Sequence, residues 1–164
     1  YFSIAFWNKS GGFEVRNPYF KGCIMGKDIS HILYEQSIIQ KHVCVFEGFM
    51  DFLSYLTLKK ECDTIVCVHP PCDYIIMNSV NNLKKTLYTL ESYEYIHCYL
   101  DNDLAGIKTV ETFCGLFGMK VVNEAIRYSE YKDLNDYLKK KKCWSIDSLY
   151  ILHEKLSFGG LFSY

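Results

Sequence analysis

The chain has 164 residues, 49% of them hydrophobic and 16% aromatic, with a formal net charge of −1. That length suits one domain with a real core, the composition excludes disorder, and the near-neutral charge excludes a polycation drawn to phosphate over its whole surface. No apolar run approaches the roughly 20 residues of a membrane span. Residues 1–7, YFSIAFW, lack a basic n-region and are too short for an h-region, so no signal peptide is expected. The eight cysteines include no CxxC pair, which removes the zinc-ribbon and thioredoxin-like readings. Cys44 and Cys98 sit in apolar runs, and Cys62, Cys67 and Cys72 have a spacing that fits no common metal site, so a reducing, cytoplasmic setting is expected.

Taken in order, 2–6 and 13–16 are short extended segments around Asn8-Lys9-Ser10-Gly11-Gly12, a hairpin signal that ends at Asn17-Pro18. Residues 28–33 read as a further strand. From His42 unbroken β-rich runs alternate with helical periodicity. HVCVF (42–46) is a buried parallel strand, followed by Glu47-Gly48 and a helix from Phe49 to about Leu58. DYIIMN (73–78) is the second strand, with Ser79 as N-cap of a helix whose stripe is Val80, Leu83, Leu87 and Leu90. YIHCYL (95–100) is the third. Ile107, Val110, Cys114 and Phe117 mark the next helix, with Gly118 just past its end. KVVNEAI (120–126) is the fourth strand, and Asp133 caps a last helix over 134–142. Residues 64–70, TIVCVHP, read either as an extra strand or as an insertion loop.

Strands alternating with helices predict a parallel sheet covered on both faces, which places ligands beyond the carboxyl ends of its strands. Glu47 and the pair Asp101 and Asp103 stand at such ends. Residues i and i+2 of an extended segment point to one side, so the two aspartates would share a small volume. At roughly 5 Å and an effective dielectric of about 20, two such charges repel by on the order of 3 kcal/mol, which a divalent cation would offset. Removing both is then expected to leave the fold intact or stabilised. Asp-Asn-Asp before a helix also reads as an ordinary N-cap. His42 and His97 lie on strand runs and read as core residues. The paired lysines, Lys84 and Lys85 among them, read as solvated helix surface; with Lys108 they are also the candidate nucleic-acid contacts, Arg16 and Arg127 being the only arginines.

Three acidic stretches fall in order: FEGFMD (46–51), LDNDLAG (100–106) and KDLND (132–136). Here the chain resembles the Toprim family, the catalytic domain shared by bacterial-type primases, topoisomerases and some nucleases, and most of all primase-like Toprim proteins of bacterial and mobile-element origin. SGGFEVRNPYFKG (10–22) ahead of the core adds to the likeness. The resemblance implies an α/β, Rossmann-like Toprim fold, a four-stranded parallel sheet flanked by helices, with an N-terminal β-hairpin extension. It divides the chain into an extension over 1–40, a catalytic core over 41–142 and a C-terminal segment, 143–164, packing on the core.

The resemblance makes Glu47 the residue that binds metal or handles a proton, Asp101 and Asp103 ligands of Mg²⁺ or Mn²⁺, and Asp133 the first acid of the third motif. Gly48, Asp51, Gly106, Lys132 and Asp136 belong to the same motifs, with Asp51 behind Glu47 on one helix face. Asn135 departs from the pattern, standing where primases commonly have an aspartate. Carboxylate oxygens suit hard cations, and neither Cys nor His lies in the three stretches. The implied activity is metal-dependent nucleotidyl transfer on DNA, as the core of a DNA primase-like protein, with single-stranded DNA and nucleoside triphosphates as partners and a replicative helicase reached through flanking regions. A Toprim nuclease, or a degenerate module that binds DNA or a partner, would use the same scaffold.

Overall fold

The computed structural model describes residues 2–36 and 38–140; the segment 143–164, expected to pack on the core, lies outside the described residues. The chain opens with three antiparallel strands, β1 (Ile4–Trp7), β2 (Phe13–Arg16) and β3 (Lys21–Ile24). The expected hairpin is present and carries a third strand. Asn8 organises its turn: Oδ1 accepts from the amides of Ser10 at 3.2 Å and Gly12 at 2.9 Å, and Nδ2 donates to the Gly26 carbonyl at 2.7 Å. An Asx side chain mimics a turn of backbone in this way. Phe6 projects from this sheet and stacks on Phe49, ring centroids 5.4 Å apart.

The core sheet has five strands in the order β4-β6-β5-β7-β8, from β4 (Ser30–Ile32), β5 (His42–Phe46), β6 (Cys72–Ile76), β7 (Tyr95–Tyr99) and β8 (Val121–Asn123). Four strands are parallel, as expected, and β4 joins the edge antiparallel to β6. Val43 to Phe46 are fully buried because both faces are covered. Cys44, Phe46, Tyr74 and Tyr99 pack under α1 (Phe49–Lys60), whereas Val43, Val45, Ile75 and Ile96 meet Leu90 of α2 (Leu83–Leu90) and Phe113 of α3 (Leu104–Phe117). A helix over 134–140, α4, returns to the first face through Leu134. Buried tyrosines keep their hydroxyls paired, Tyr99 donating to the Val66 carbonyl at 2.8 Å and Tyr128 to that of Leu100 at 3.1 Å. Among the described residues no helix is long and apolar enough to cross a membrane.

Three local expectations change. The fourth strand stops at Asn123, whose side chain accepts from the Ala125 amide and starts a 3-10 turn over Glu124–Tyr128. That turn brings Glu124 inward, where it meets His97 Nδ1 at 2.8 Å and Arg127. Burial raises the Glu124 carboxyl, but these two partners outweigh it and hold it below its ordinary range. His97 in turn meets His42 at 3.0 Å; His97 is buried as expected, whereas His42 is only half-buried and stacks on Tyr95. Residues 64–70 form no strand. On α3 the buried face is Gly106, Thr109, Val110 and Phe113, while Ile107 and Cys114 are exposed. The apolar stripe is rotated because Gly106 must sit against the end of β7: a Cβ there would lie 2.0 Å from the Asp101 carbonyl oxygen.

Candidate active-site cleft

A cleft of about 470 Å³ opens at the carboxyl ends of β5, β6 and β7, between the core and the N-terminal sheet. Its floor is acidic. Glu47 follows β5, Asp101 follows β7, Asp51 stands one turn into α1, and Asp133 precedes α4; all four line the cleft. The acids sit in one another's field. Burial and then the charge of Glu47, Asp51 and Asp133 push the Asp101 carboxyl up to about 7, with Lys132, its Nζ 3.9 Å away, acting the other way. Burial and then Asp133 raise Asp51 to about 6. Glu47 is raised by burial and then by Asp103, against a hydrogen bond from the Asp101 amide and the charges of Lys21 and Lys132. Like charges gathered in a half-dry cleft favour a proton or a cation.

The two aspartates of Asp-x-Asp divide their duties. Asp103 Oδ1 accepts from the amides of Ala105 at 2.9 Å and Gly106 at 3.0 Å, which makes it the N-cap of α3, and it does not line the cleft. Asp101 faces the cleft with its side chain 16% exposed. Asp103 still acts on Glu47 through its charge. The N-cap reading of Asp-Asn-Asp therefore holds at Asp103, while Asp101 is the aspartate left facing the cleft.

Asn102, passed over between them, is the residue that assembles the third motif. Its Nδ2 donates to the carbonyls of Tyr131 at 2.9 Å and Tyr128 at 3.2 Å, and its amide donates to that of Lys132 at 2.7 Å. The loop leading to Asp133 is thereby tied to the end of β7. Asp51 Oδ1 accepts from the Asn135 amide at 3.2 Å and fixes the start of α4 against α1. Asp133 Oδ1 caps α4 through the Asp136 amide at 2.7 Å. Asn135 lines the cleft, and its Oδ1 accepts from Ser54 at 3.4 Å. Asp136 turns to Lys139, 3.6 Å away. Gly48 lines the cleft, and a Cβ there would make only an ordinary 3.5 Å contact with Asp51.

The opposite wall is basic and was not foreseen. On β2 the residues alternate: Phe13 and Val15 turn one way, Glu14 and Arg16 the other. With Lys21 of β3 and Lys27 just beyond that strand, Glu14 and Arg16 line the cleft facing the acids. Charged residues alternating with apolar ones in FEVR were the available signal. Lys84, Lys85 and Lys108 do not line the cleft, and Lys85 is engaged with Asp28 at 2.9 Å.

The donor set suits a hard divalent cation, being carboxylate oxygens with raised proton affinity. Among the described residues no three His, Cys, Asp or Glu side chains close on a common point tightly enough to hold an ion.

The Toprim-like family matches residues 44–138, and the chain belongs to it. A second family, described as a domain of unknown function, matches residues 1–25. No curated protein matches. Among solved structures the chain is similar to the primase fragment of the bacteriophage T7 primase-helicase protein, with 20% identity and a TM-score of 0.56 over 89% of this chain. The chain spans 60% of that structure's length. The likeness is one of fold, and it extends beyond residues 44–138.

Proposed function

We propose that this chain is the catalytic core of a primase-like enzyme, performing metal-dependent nucleotidyl transfer on a single-stranded DNA template. What supports the reading is one cleft with an acidic floor and a basic wall. A nucleoside triphosphate complexed with a divalent cation presents the matching pair of charges. Glu47 and Asp101, flanked by Asp51, Asp103 and Asp133, would hold Mg²⁺ or Mn²⁺, and the cation neutralises charge on the phosphates. Arg16, Lys21 and Lys27 would take the phosphate oxygens from the other side, and Lys132 would partly offset the repulsion that raises Asp101. In the reaction a primer hydroxyl attacks the α-phosphorus and pyrophosphate leaves. The protein's share is positioning and electrostatics.

The test is retention of a labelled triphosphate with and without Mg²⁺, followed by its incorporation on single-stranded DNA. The expected result is metal-dependent retention and incorporation by the wild type and neither by Asp101→Asn. Retention that ignores both metal and substitution refutes the reading. DNA cleavage in Mg²⁺ with no triphosphate dependence assigns the cleft to a nuclease instead.

A further inference from the structure

We propose that Asn78 is a positioning residue that sets the gap between the acidic floor and the basic wall of the cleft; this rests on the reading that the two sides share one metal-bound triphosphate. Asn78 follows β6 at the cleft lining and is bonded in both directions. Its amide donates to the Glu47 carbonyl at 2.9 Å, so its backbone holds the acid at the end of β5. Its side-chain Nδ2 donates to the Asp28 carbonyl at 2.9 Å and to Ser30 Oγ at 3.1 Å. Ser30 Oγ passes the bond on, donating to the Trp7 carbonyl at 2.7 Å. Trp7 is the last residue of β1, the strand paired with β2, on which Arg16 lies. A continuous chain of hydrogen bonds thus runs from Glu47 through Asn78 and Ser30 to the sheet that carries the cations.

Two features show that the side chain is there to donate. Asn78 has φ +61°, a left-handed conformation in which glycine is at least as comfortable and asparagine is tolerated. Glycine would satisfy the backbone and lose both donors. Asn78 Oδ1 is, among the described residues, a buried side-chain oxygen with no hydrogen-bond partner. The amide cannot turn over to pair it, because the Asp28 carbonyl can only accept. The position therefore keeps an unusual conformation and an unpaired oxygen together with two donors that join the parts of the cleft.

The experiment measures Mg²⁺ affinity and Mg²⁺-triphosphate affinity separately for the wild type, Asn78→Ala, Asn78→Gly, Ser30→Ala and the double variant Asn78→Ala with Ser30→Ala. Asn78→Gly suits the left-handed backbone, removes both donors and adds no charge to the acidic cleft. Melting curves identify any variant that fails to fold, and the remaining ones carry the comparison. The expected result is Mg²⁺ affinity within about twofold of wild type in every variant, with triphosphate affinity weakened about tenfold or more in each single variant. The double variant should be no weaker than the worse single, because both break one chain. Wild-type triphosphate affinity in Asn78→Gly, or a double variant that adds the two losses, overturns the positioning role and leaves the proposed function standing. A wild type that holds Mg²⁺ but no triphosphate overturns both.

Discussion

Replacing Asp101 by Asn removes the most strongly perturbed carboxylate of the cleft and keeps its shape. The carboxyl is raised from its ordinary 3.8 to about 7, by burial and by the charges of Glu47, Asp51 and Asp133. Three units at about 1.4 kcal/mol each set an upper bound near 4 kcal/mol, and screening in an open cleft reduces this to about 1–2 kcal/mol. The sign follows from linkage. A carboxyl with a raised folded-state pKa holds its proton longer in the folded protein, so its contribution is present below about pH 4 and is lost as pH rises through about 7. In chelator, Asp101→Asn should therefore be more stable than wild type by about 1–2 kcal/mol at pH 8, by urea denaturation, and equal to it near pH 4. Added Mg²⁺ should reverse the order, because only the wild type gains; at about a hundred times the dissociation constant that gain is about 2.7 kcal/mol, more than the deficit. A variant less stable than wild type at pH 8 in chelator, or one that gains as much from Mg²⁺, would refute the account. Asp103→Ala, by contrast, loses two amide partners at the start of α3 and should cost about 1 kcal/mol.

Gly106→Ala drives a Cβ to 2.0 Å from the Asp101 carbonyl oxygen, so β7 or α3 must shift. A loss of at least about 2 kcal/mol is expected, read by thermal unfolding, together with weaker Mg²⁺ binding. Asn102→Ala leaves the carbonyls of Tyr128 and Tyr131 without their side-chain donor and should cost about 1–2 kcal/mol, with faster amide exchange around Lys132. Unchanged exchange there would remove its assembling role. Lys21→Glu places a like charge opposite the acids; Mg²⁺-triphosphate affinity should fall about tenfold or more while the melting temperature moves little, and equal affinity would detach the basic wall from the ligand.

Local pattern carried most of the core. HVCVF becomes β5 over the residues its unbroken apolarity marks, because a strand buried on both faces has no polar alternation to obscure it. Glu47, Asp101 and Asp133 were legible as strand-end and helix-start acids, since the chain reverses where the apolar runs stop. What local pattern cannot state is which of two compatible contacts a side chain takes. Asp101 and Asp103 have the same neighbours in sequence, yet one faces the cleft and the other caps α3, because Gly106 brings the first turn of the helix against β7.

Composition and periodicity by themselves determined a layered α/β core and the three acidic stretches at its upper rim, because burial and turn chemistry act over a few residues. Tertiary structure alone decided that β4 pairs with β6 and that the N-terminal sheet lies across the acids. It also decided that the Asn78–Ser30–Trp7 chain joins the two. Those contacts link residues 23 and 48 positions apart and depend on where the packed layers bring the backbone, which no local spacing encodes.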